Sequence, residues 1–321
     1  MKVSFCVRSR VVLLASLLVV LLFSGCRPTE LAQVDATRTP ISGEATYYRI
    51  ATFNVRNLFD TVDDRYNDEH VTEAEYSDKI ARLSEVLDTV QADFIALQEV
   101  ENLESLLSLN AQLSRPYPQV GLVEGNDQVR GIDVCFLSRL AVKDVRSHAD
   151  LALPHQPGDN RNHHFSRDCL EVHLDTEPPV VLLINHFKSA RGNSKKAAGK
   201  RRAQAEGVVE IAAQVETDRA VIILGDFNDR PDSWALKPLF EPFTNPFAGL
   251  PKETRITHRY RKGGSQLDYI LLDPEAKAIG SSARIWPEVA RKVSDHNPVS
   301  IEVQLKARGS VPEKVWSEPS L

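Results

Sequence analysis

Four apolar runs in this chain end in the same way, and that shared ending limits what it can fold into. "IATFNV" closes on Asn54, "FIALQEV" on Gln98 and Glu99, "VVLLINHFKS" on Asn185, His186 and Lys188, and "AVIILGDFN" on Asp226 and Asn228. Two later segments, "LDYIL" and "SDHNPV", carry Asp268, Asp295 and His296. One such ending is an ordinary turn or cap. Repeated six times, carboxylates, amides and imidazoles point to strand ends, where open α/β sheets build their sites.

Between these endings the hydrophobic period alternates. "YSDKIARLSEVLDTVQ" sets Ile80, Leu83, Leu87 and Val90 on one helical face, and a long helix is expected over roughly 196–216. "GIDVCFLSR", "DCLEVHL" and "PVSIEVQL" read as further strands, some of them adjacent without an intervening helix. This pattern predicts an α/β architecture with mixed sheets. With 321 residues, 42% hydrophobic and 26% charged, a sizeable core is available to a single domain, placed at 48–306. A formal charge of −5 argues against bulk coating of a polyanion, yet leaves room for a local phosphate grip.

The start reads as a targeting segment. Lys2, Arg8 and Arg10 precede the apolar run Val11–Phe23, which is shorter than the roughly 20 residues of a membrane-spanning helix. "LFSGC" then resembles a bacterial lipobox ending on Cys26, with Phe23 where leucine is usual. The expected organisation is a lipoprotein signal at 1–25, a polar tether at 26–47, the domain, and an irregular tail at 307–321. The mature chain would be exported and lipid-anchored through Cys26, in the outer membrane of a Gram-negative cell because Arg27 follows the cysteine. Of the remaining cysteines, Cys135 and Cys169 lie in strand-like runs. A disulfide and two buried thiols are both open.

The clustered residue types suit hydrolysis of a phosphate ester. A hard divalent cation takes carboxylate and carbonyl oxygens, a role that fits Glu99, Asp295 and the Asn54 amide. Two imidazoles can serve as acid and base near neutrality, with Asp268 the expected partner of His296.

"TFNV", "QEV", "NHFKS", "GDFND", "LDYIL" and "SDHNPV", in this order, resemble the endonuclease/exonuclease/phosphatase superfamily, the deoxyribonuclease-I-like fold. The resemblance spans roughly 49–305. It implies a four-layer sandwich, two mixed β-sheets packed face to face with helices outside, and metal-dependent attack of water on a phosphate ester. Carried over by position, Asn54 and Glu99 resemble metal and phosphate ligands, and Asp295 a further metal ligand. Asp226 and Asn228 resemble the pair that aligns the water. His186 is similar to the catalytic acid or transition-state donor, with Asp133 orienting it, and Asp268 with His296 to the carboxylate–imidazole base. Arg167 resembles a phosphate-gripping arginine, which Lys188 and Arg191 would assist. The abasic-site endonuclease branch differs, because Arg56 stands where that branch has a metal carboxylate.

The implied cofactor is Mg²⁺, with Mn²⁺ or Ca²⁺ as alternatives. Nucleic acid is the expected substrate; a sphingomyelin-like head group or small phosphate ester is the alternative, and a catalytically silent binding lipoprotein a remote one. The membrane is reached through the anchor, no protein partner is evident, and a monomer is expected. Residues 188–202 carry seven Lys and Arg and no acid, most of them expected on a solvated helix face. The acidic stretch 60–69 reads as an exposed loop, or secondarily as a Ca²⁺ site. His163–His164 reads as a polar loop rather than a transition-metal site.

Overall fold

The computed structural model describes residues 46–62, 70–127, 129–154, 163–190, 195–260, 263–307 and 311–317. All of them belong to one compact unit, Val34–Leu321. The signal, most of the tether, Cys26, Arg191 and most of the acidic stretch lie outside the described residues, whereas Thr46 and Tyr47 of the expected tether open the first strand.

Among the described residues, fifteen strands and five α-helices follow in chain order. β1 (Thr46–Leu58), α1 (Glu73–Val90), β2 (Phe94–Val100), α2 (Leu103–Gln112), β3 (Gln119–Leu122) and β4 (Asp133–Ser138) come first. Then come β5 (Val142–Arg146), β6 (Cys169–Leu174), β7 (Thr176–Glu177), β8 (Val180–His186), α3 (Lys195–Gln214) and β9 (Ala220–Asp226). The last group is α4 (Lys237–Phe240), β10 (His258–Tyr260), β11 (Gly263–Ser265), β12 (Asp268–Leu272), α5 (Pro274–Ile279), β13 (Gly280–Ile285), β14 (Val299–Ala307) and β15 (Lys314–Trp316). The first sheet runs β13-β14-β1-β2-β4-β3-β15, with β7 paired to β14. The second runs β12-β9-β8-β6-β5, and β10–β11 form a separate hairpin. Both sheets are mixed: β1–β2 and β8–β9 pair parallel, while β1–β14 and β12–β9 pair antiparallel.

Three apolar clusters set the layers. One holds Ile50, Phe94 and Val134 of the first sheet against Leu170, Leu182, Ile222 and Ile270 of the second. Another packs Phe53, Ile95 and Cys135 under Leu83, Leu87 and Leu106 of α1 and α2. The third packs Val181, Ile223 and Tyr269 under Val208 and Ile211 of α3 and Leu239 of α4. The order is helix, sheet, sheet, helix, as expected for this sandwich. Local sequence starts the helices: Thr72 and Glu75 form a reciprocal capping box on α1, and Asn102 accepts the Ser105 N–H on α2 at 2.8 Å. Among the described residues, no helix is long and apolar enough to cross a membrane.

Two expectations resolve here. Cys135 and Cys169 are buried free thiols, packed in the outer clusters on opposite sides of the paired sheets. The tail is not irregular throughout, because β15 adds to β3 in parallel, Lys314 to Gln119 through Trp316 to Gly121. The Trp316 ring is buried in the inter-sheet core. A lone tryptophan among polar residues carries no period, so only the exposed edge of β3 gives this segment a place.

Candidate active site

Side chains alternate faces along a strand, and that parity explains the site. In β8, Val180, Leu182 and Ile184 enter the inter-sheet core, so His186 ends the same row. In β9, Ala220, Ile222 and Leu224 do the same, so Asp226 ends that row. β12 begins its inner row at Asp268 ahead of Ile270 and Leu272, and Asn54 follows Ile50 and Thr52 in β1. Pairing then aligns the tips: His186 sits opposite Asp226, and Asp226 opposite Asp268.

Glu99 breaks parity. Strict alternation would send it with Ile95 and Leu97 toward the helices. Instead its backbone turns left-handed, φ 67°, at a register shift in the pairing of β2 with β4. Asn228 (φ 52°), Arg56 (φ 57°) and Asn57 (φ 53°) share that conformation. Non-glycine residues held there mark places where the surrounding structure overrides local preference. Gly225 answers a different need, because a Cβ there would lie 1.9 Å from the Asn185 carbonyl oxygen, at φ +136°.

The tips meet. Asn54 Nδ2 donates to Glu99 Oε1 at 3.1 Å and to Asp226 Oδ2 at 3.0 Å, joining the two sheets. Asn228 Nδ2 donates to Asp226 Oδ2 at 3.2 Å and to the Phe187 carbonyl at 3.1 Å. His186 Nε2 lies 3.6 Å from Asp226 Oδ2 and 3.8 Å from Glu99 Oε1. His296 holds Asp268 through Nδ1 at 2.9 Å and turns Nε2 toward Asp226 Oδ2 at 3.8 Å. Asp226 Oδ2 is thus surrounded by four side-chain nitrogens. Asp295 Oδ2 lies 3.8 Å from His258 Nε2 and 3.9 Å from Arg56 Nε.

Burial tunes these groups. It pushes the Asp226 carboxyl up, against the opposing pull of His296. On His296 burial works downward, but Asp268 and Asp226 outweigh it and hold the proton on the ring. Burial drives His186 well below the ordinary histidine range, with Arg167, His296, Arg130 and Lys188 adding repulsion, so its ring is neutral. Against the upward push of burial, His258, His296 and Arg56 hold Asp295 down to about 2.

Of the other expected residues, Arg167 is buried beside His186, where it pairs with Asp127 at 2.9 Å. Lys188 is exposed at the rim. Asp133 does not orient His186: its carboxylate accepts the Gly125 N–H at 2.8 Å, and His186 Nδ1 has no hydrogen-bond partner. Parity again explains the correction: Asp133 opens β4 opposite Val100, the last residue of β2, in the row of Cys135 and Leu137 that faces the helices and not in the inner row of Val134 and Phe136. In the basic stretch, Arg201 is buried against Asp229 at 2.9 Å and Arg202 pairs with Glu206. His163 is buried in a bridge with Leu153.

Sequence reasoning passed over Asn57, Arg130 and His258. The Asn57 N–H binds Glu99 Oε2 at 3.1 Å, and Arg130 contacts the same oxygen at 3.4 Å and also the Asn57 side-chain oxygen. His258 bridges His296 through the backbone, with ring centroids 4.6 Å apart. Arg130 and His258 reach the site from a loop and a hairpin with no apolar run to announce them, and Asn57 from the left-handed end of β1.

The donor set suits a hard divalent cation. Ligand atoms of Asp226, Asp268 and His296 lie within 4.8 Å of one another, as do those of His258, Asp295 and His296; with the proton held on the His296 ring, the ligands it leaves in the first group are the carboxylate oxygens. Glu99, whose carboxylate collects only nitrogen donors, adds a further oxygen pair beside Asp226.

Residues 51–296 match the Endonuclease/Exonuclease/phosphatase family. The chain belongs to that family. No protein of curated function matches by sequence. Solved structures share the fold at low identity. A humanized D. rerio TDP2 is 17% identical over 80% of this chain and 98% of its own, with a TM-score of 0.56. An endonuclease/exonuclease/phosphatase from Bacteroides vulgatus is 18% identical over 82% and 100%, with a TM-score of 0.55. The Neisseria 3' phosphatase NExo, bound to a product DNA hairpin, is 18% identical over 80% and 99%, with a TM-score of 0.52. Members of the endonuclease/exonuclease/phosphatase family are phosphoester hydrolases that depend on a divalent metal, and this chain is such an enzyme.

Proposed function

We propose that the chain is an exported, lipid-anchored nuclease that hydrolyses phosphodiester bonds of nucleic acid with Mg²⁺. The observation that carries this reading is the gathering of Asn54, Asn228, His186 and His296 around Asp226 Oδ2. The amides spend both their N–H groups on Glu99, Asp226 and the Phe187 carbonyl, which leaves the Nε2 atoms of His186 and His296 to meet an anionic phosphoryl group, and Arg130 and Arg167 add positive charge. Glu99 and Asn54 would hold the metal, with Asp295 as a further ligand. When bound, the ion polarises the phosphoryl oxygens and offsets the charge that builds on them.

One role moves from its expected place. Flanking carboxylates keep His296 protonated, so its Nε2–H serves the phosphoryl oxygen as a cationic donor. Asp226, made more basic by burial, takes the proton of the attacking water. Asn228 fixes the carboxylate that does this, through Nδ2 and through its own N–H at 2.8 Å. Neutral His186 donates Nε2–H to the developing charge without delivering a net proton.

Nucleic acid is favoured over a lipid head group by the cations at the rim, and by the DNA held by the Neisseria 3' phosphatase. The test is a substrate panel at fixed salt, using residues 27–321 with Mg²⁺. Plasmid DNA, RNA, a 3'-phosphorylated oligonucleotide, sphingomyelin vesicles and a sugar phosphate would be compared. Loss of the nucleic acids supports the proposal, whereas turnover confined to sphingomyelin or the sugar phosphate replaces it. For the anchor, Cys26→Ser in the full chain should free the protein from membranes while catalysis persists; unchanged membrane retention would refute lipidation.

A further inference from the structure

The hairpin β10–β11 is tied to the catalytic loop on both sides. His258 forms a backbone bridge with His296, Arg259 N–H donates to the Asp295 carbonyl at 2.7 Å, and Asn297 N–H donates to the Thr257 carbonyl at 2.6 Å. Thr257 Oγ1 in turn accepts the N–H of Asp268 at 3.0 Å. The hairpin is therefore fixed relative to both members of the Asp268–His296 pair.

It carries a row of rings leading outward. The His258 ring lies 4.6 Å from that of His296, and the Tyr260 ring 5.7 Å from that of His258. Tyr260 ends the row 53% exposed, with its hydroxyl hydrogen-bonded to Ser265 Oγ at 3.1 Å. Opposite it in the hairpin stands Gly263, which has no side chain to cover the ring. The other exposed large apolar side chains among the described residues, such as Trp234 and Val129, lie outside the hairpin. The surface here is one anchored aromatic plane, not an apolar patch of the kind a lipid interface uses.

We propose that Tyr260 is a stacking platform for the unpaired base of the nucleotide flanking the scissile phosphate. This inference rests on the nucleic-acid reading above and names the substrate class within it. Every base presents a π-face, so such a platform tolerates any sequence. It requires that the base leave a duplex stack, which favours single strands, frayed ends and overhangs over intact duplex. The His258 ring lies between the platform and that of His296, so the stacked base belongs to a nucleotide flanking the reacting phosphorus.

A combined chemical and protein cycle tests this. Single-stranded oligonucleotides carry one cleavable phosphodiester, with a tetrahydrofuran unit replacing the base on either side in turn. Wild type, Tyr260→Ala and Tyr260→Phe are compared with Mg²⁺. On the intact strand Tyr260→Ala should raise KM by roughly 5- to 100-fold, with kcat little changed, and Tyr260→Phe should stay near wild type. On one of the two abasic strands wild type should lose the same factor and Tyr260→Ala should lose nothing more. Independent, additive losses would overturn the platform while leaving the nuclease reading intact. If no oligonucleotide is cut, the nucleic-acid reading fails and the platform with it. Sphingomyelin vesicles bound by wild type and released by Tyr260→Ala, with oligonucleotide cleavage unaffected, would assign the ring to a lipid interface and overturn the proposal.

Discussion

At the scale of single residues, the site depends on which groups carry protons. Asp226 and His296 share one neighbourhood, and removing either leaves a buried partner uncompensated. His296→Ala and Asp226→Asn should each lower kcat by about 10²–10⁴. Asp268→Asn should lower it less, because Nδ1 keeps a hydrogen-bond partner. Steady-state kinetics with saturating Mg²⁺ decide this; near-wild-type turnover in Asp226→Asn would remove it as the base. Asp133 gives a second prediction. Burial pushes its carboxyl up to about 7, against the downward pull of the Gly125 N–H. Unfolded, the group titrates near ~4, so across that window the folded state binds the extra proton. Stability therefore falls as pH rises from 4 to 7, and the full cost of the buried charge is present above 7. Asp133→Asn keeps an acceptor for Gly125 without the charge. It should stabilise the protein at pH 8 by on the order of 1–3 kcal/mol, and by much less at pH 4. Equal gains at both pH values, in denaturation with EDTA, would contradict this.

Among the elements, β15 is the one whose worth was not visible beforehand. Its three residues extend β3, and Trp316 Nε1 reaches Gln119 Oε1 at 3.4 Å while the ring fills the end of the inter-sheet core. Gln119 also accepts the Val142 N–H at 3.1 Å, so this residue links the last strand to β5 of the other sheet. Trp316→Ala should cost about 3 kcal/mol of unfolding free energy in urea titration, with kcat and KM near wild type. A loss under ~0.5 kcal/mol would mean the strand is ornamental. α3 shows the reverse case: its basic residues were expected mostly on a solvated helix face, yet Arg201 is buried against Asp229 and Arg202 pairs with Glu206.

For the whole molecule, the two sheets meet through Asn54, which bonds Glu99 within the first sheet and Asp226 in the second. An ion held at this junction binds the folded state alone. Mg²⁺ at about 100 times its Kd should therefore raise unfolding free energy by about 2.7 kcal/mol. Glu99→Gln should abolish that gain in a thermal melt without substrate. A full Mg²⁺-dependent shift in the variant would place the ion elsewhere.

Period and parity were enough to determine the α/β class and to mark most of the strand ends that meet at the candidate site. Asn54, His186, Asp226 and Asp268 each sit in phase with an apolar row, and a row that ends in a polar residue is legible in one dimension. The remainder depended on three dimensions. Glu99 enters through a left-handed turn that reverses its parity, and His258 and Tyr260 enter on a short hairpin with no period of its own. Asp133 was misassigned because it starts β4 in the row that faces the helices, so its carboxylate meets the Gly125 N–H and not His186. Local sequence encodes which face a side chain takes. Only the packing of one sheet on the other decides which faces, and which charges, come to share one small volume.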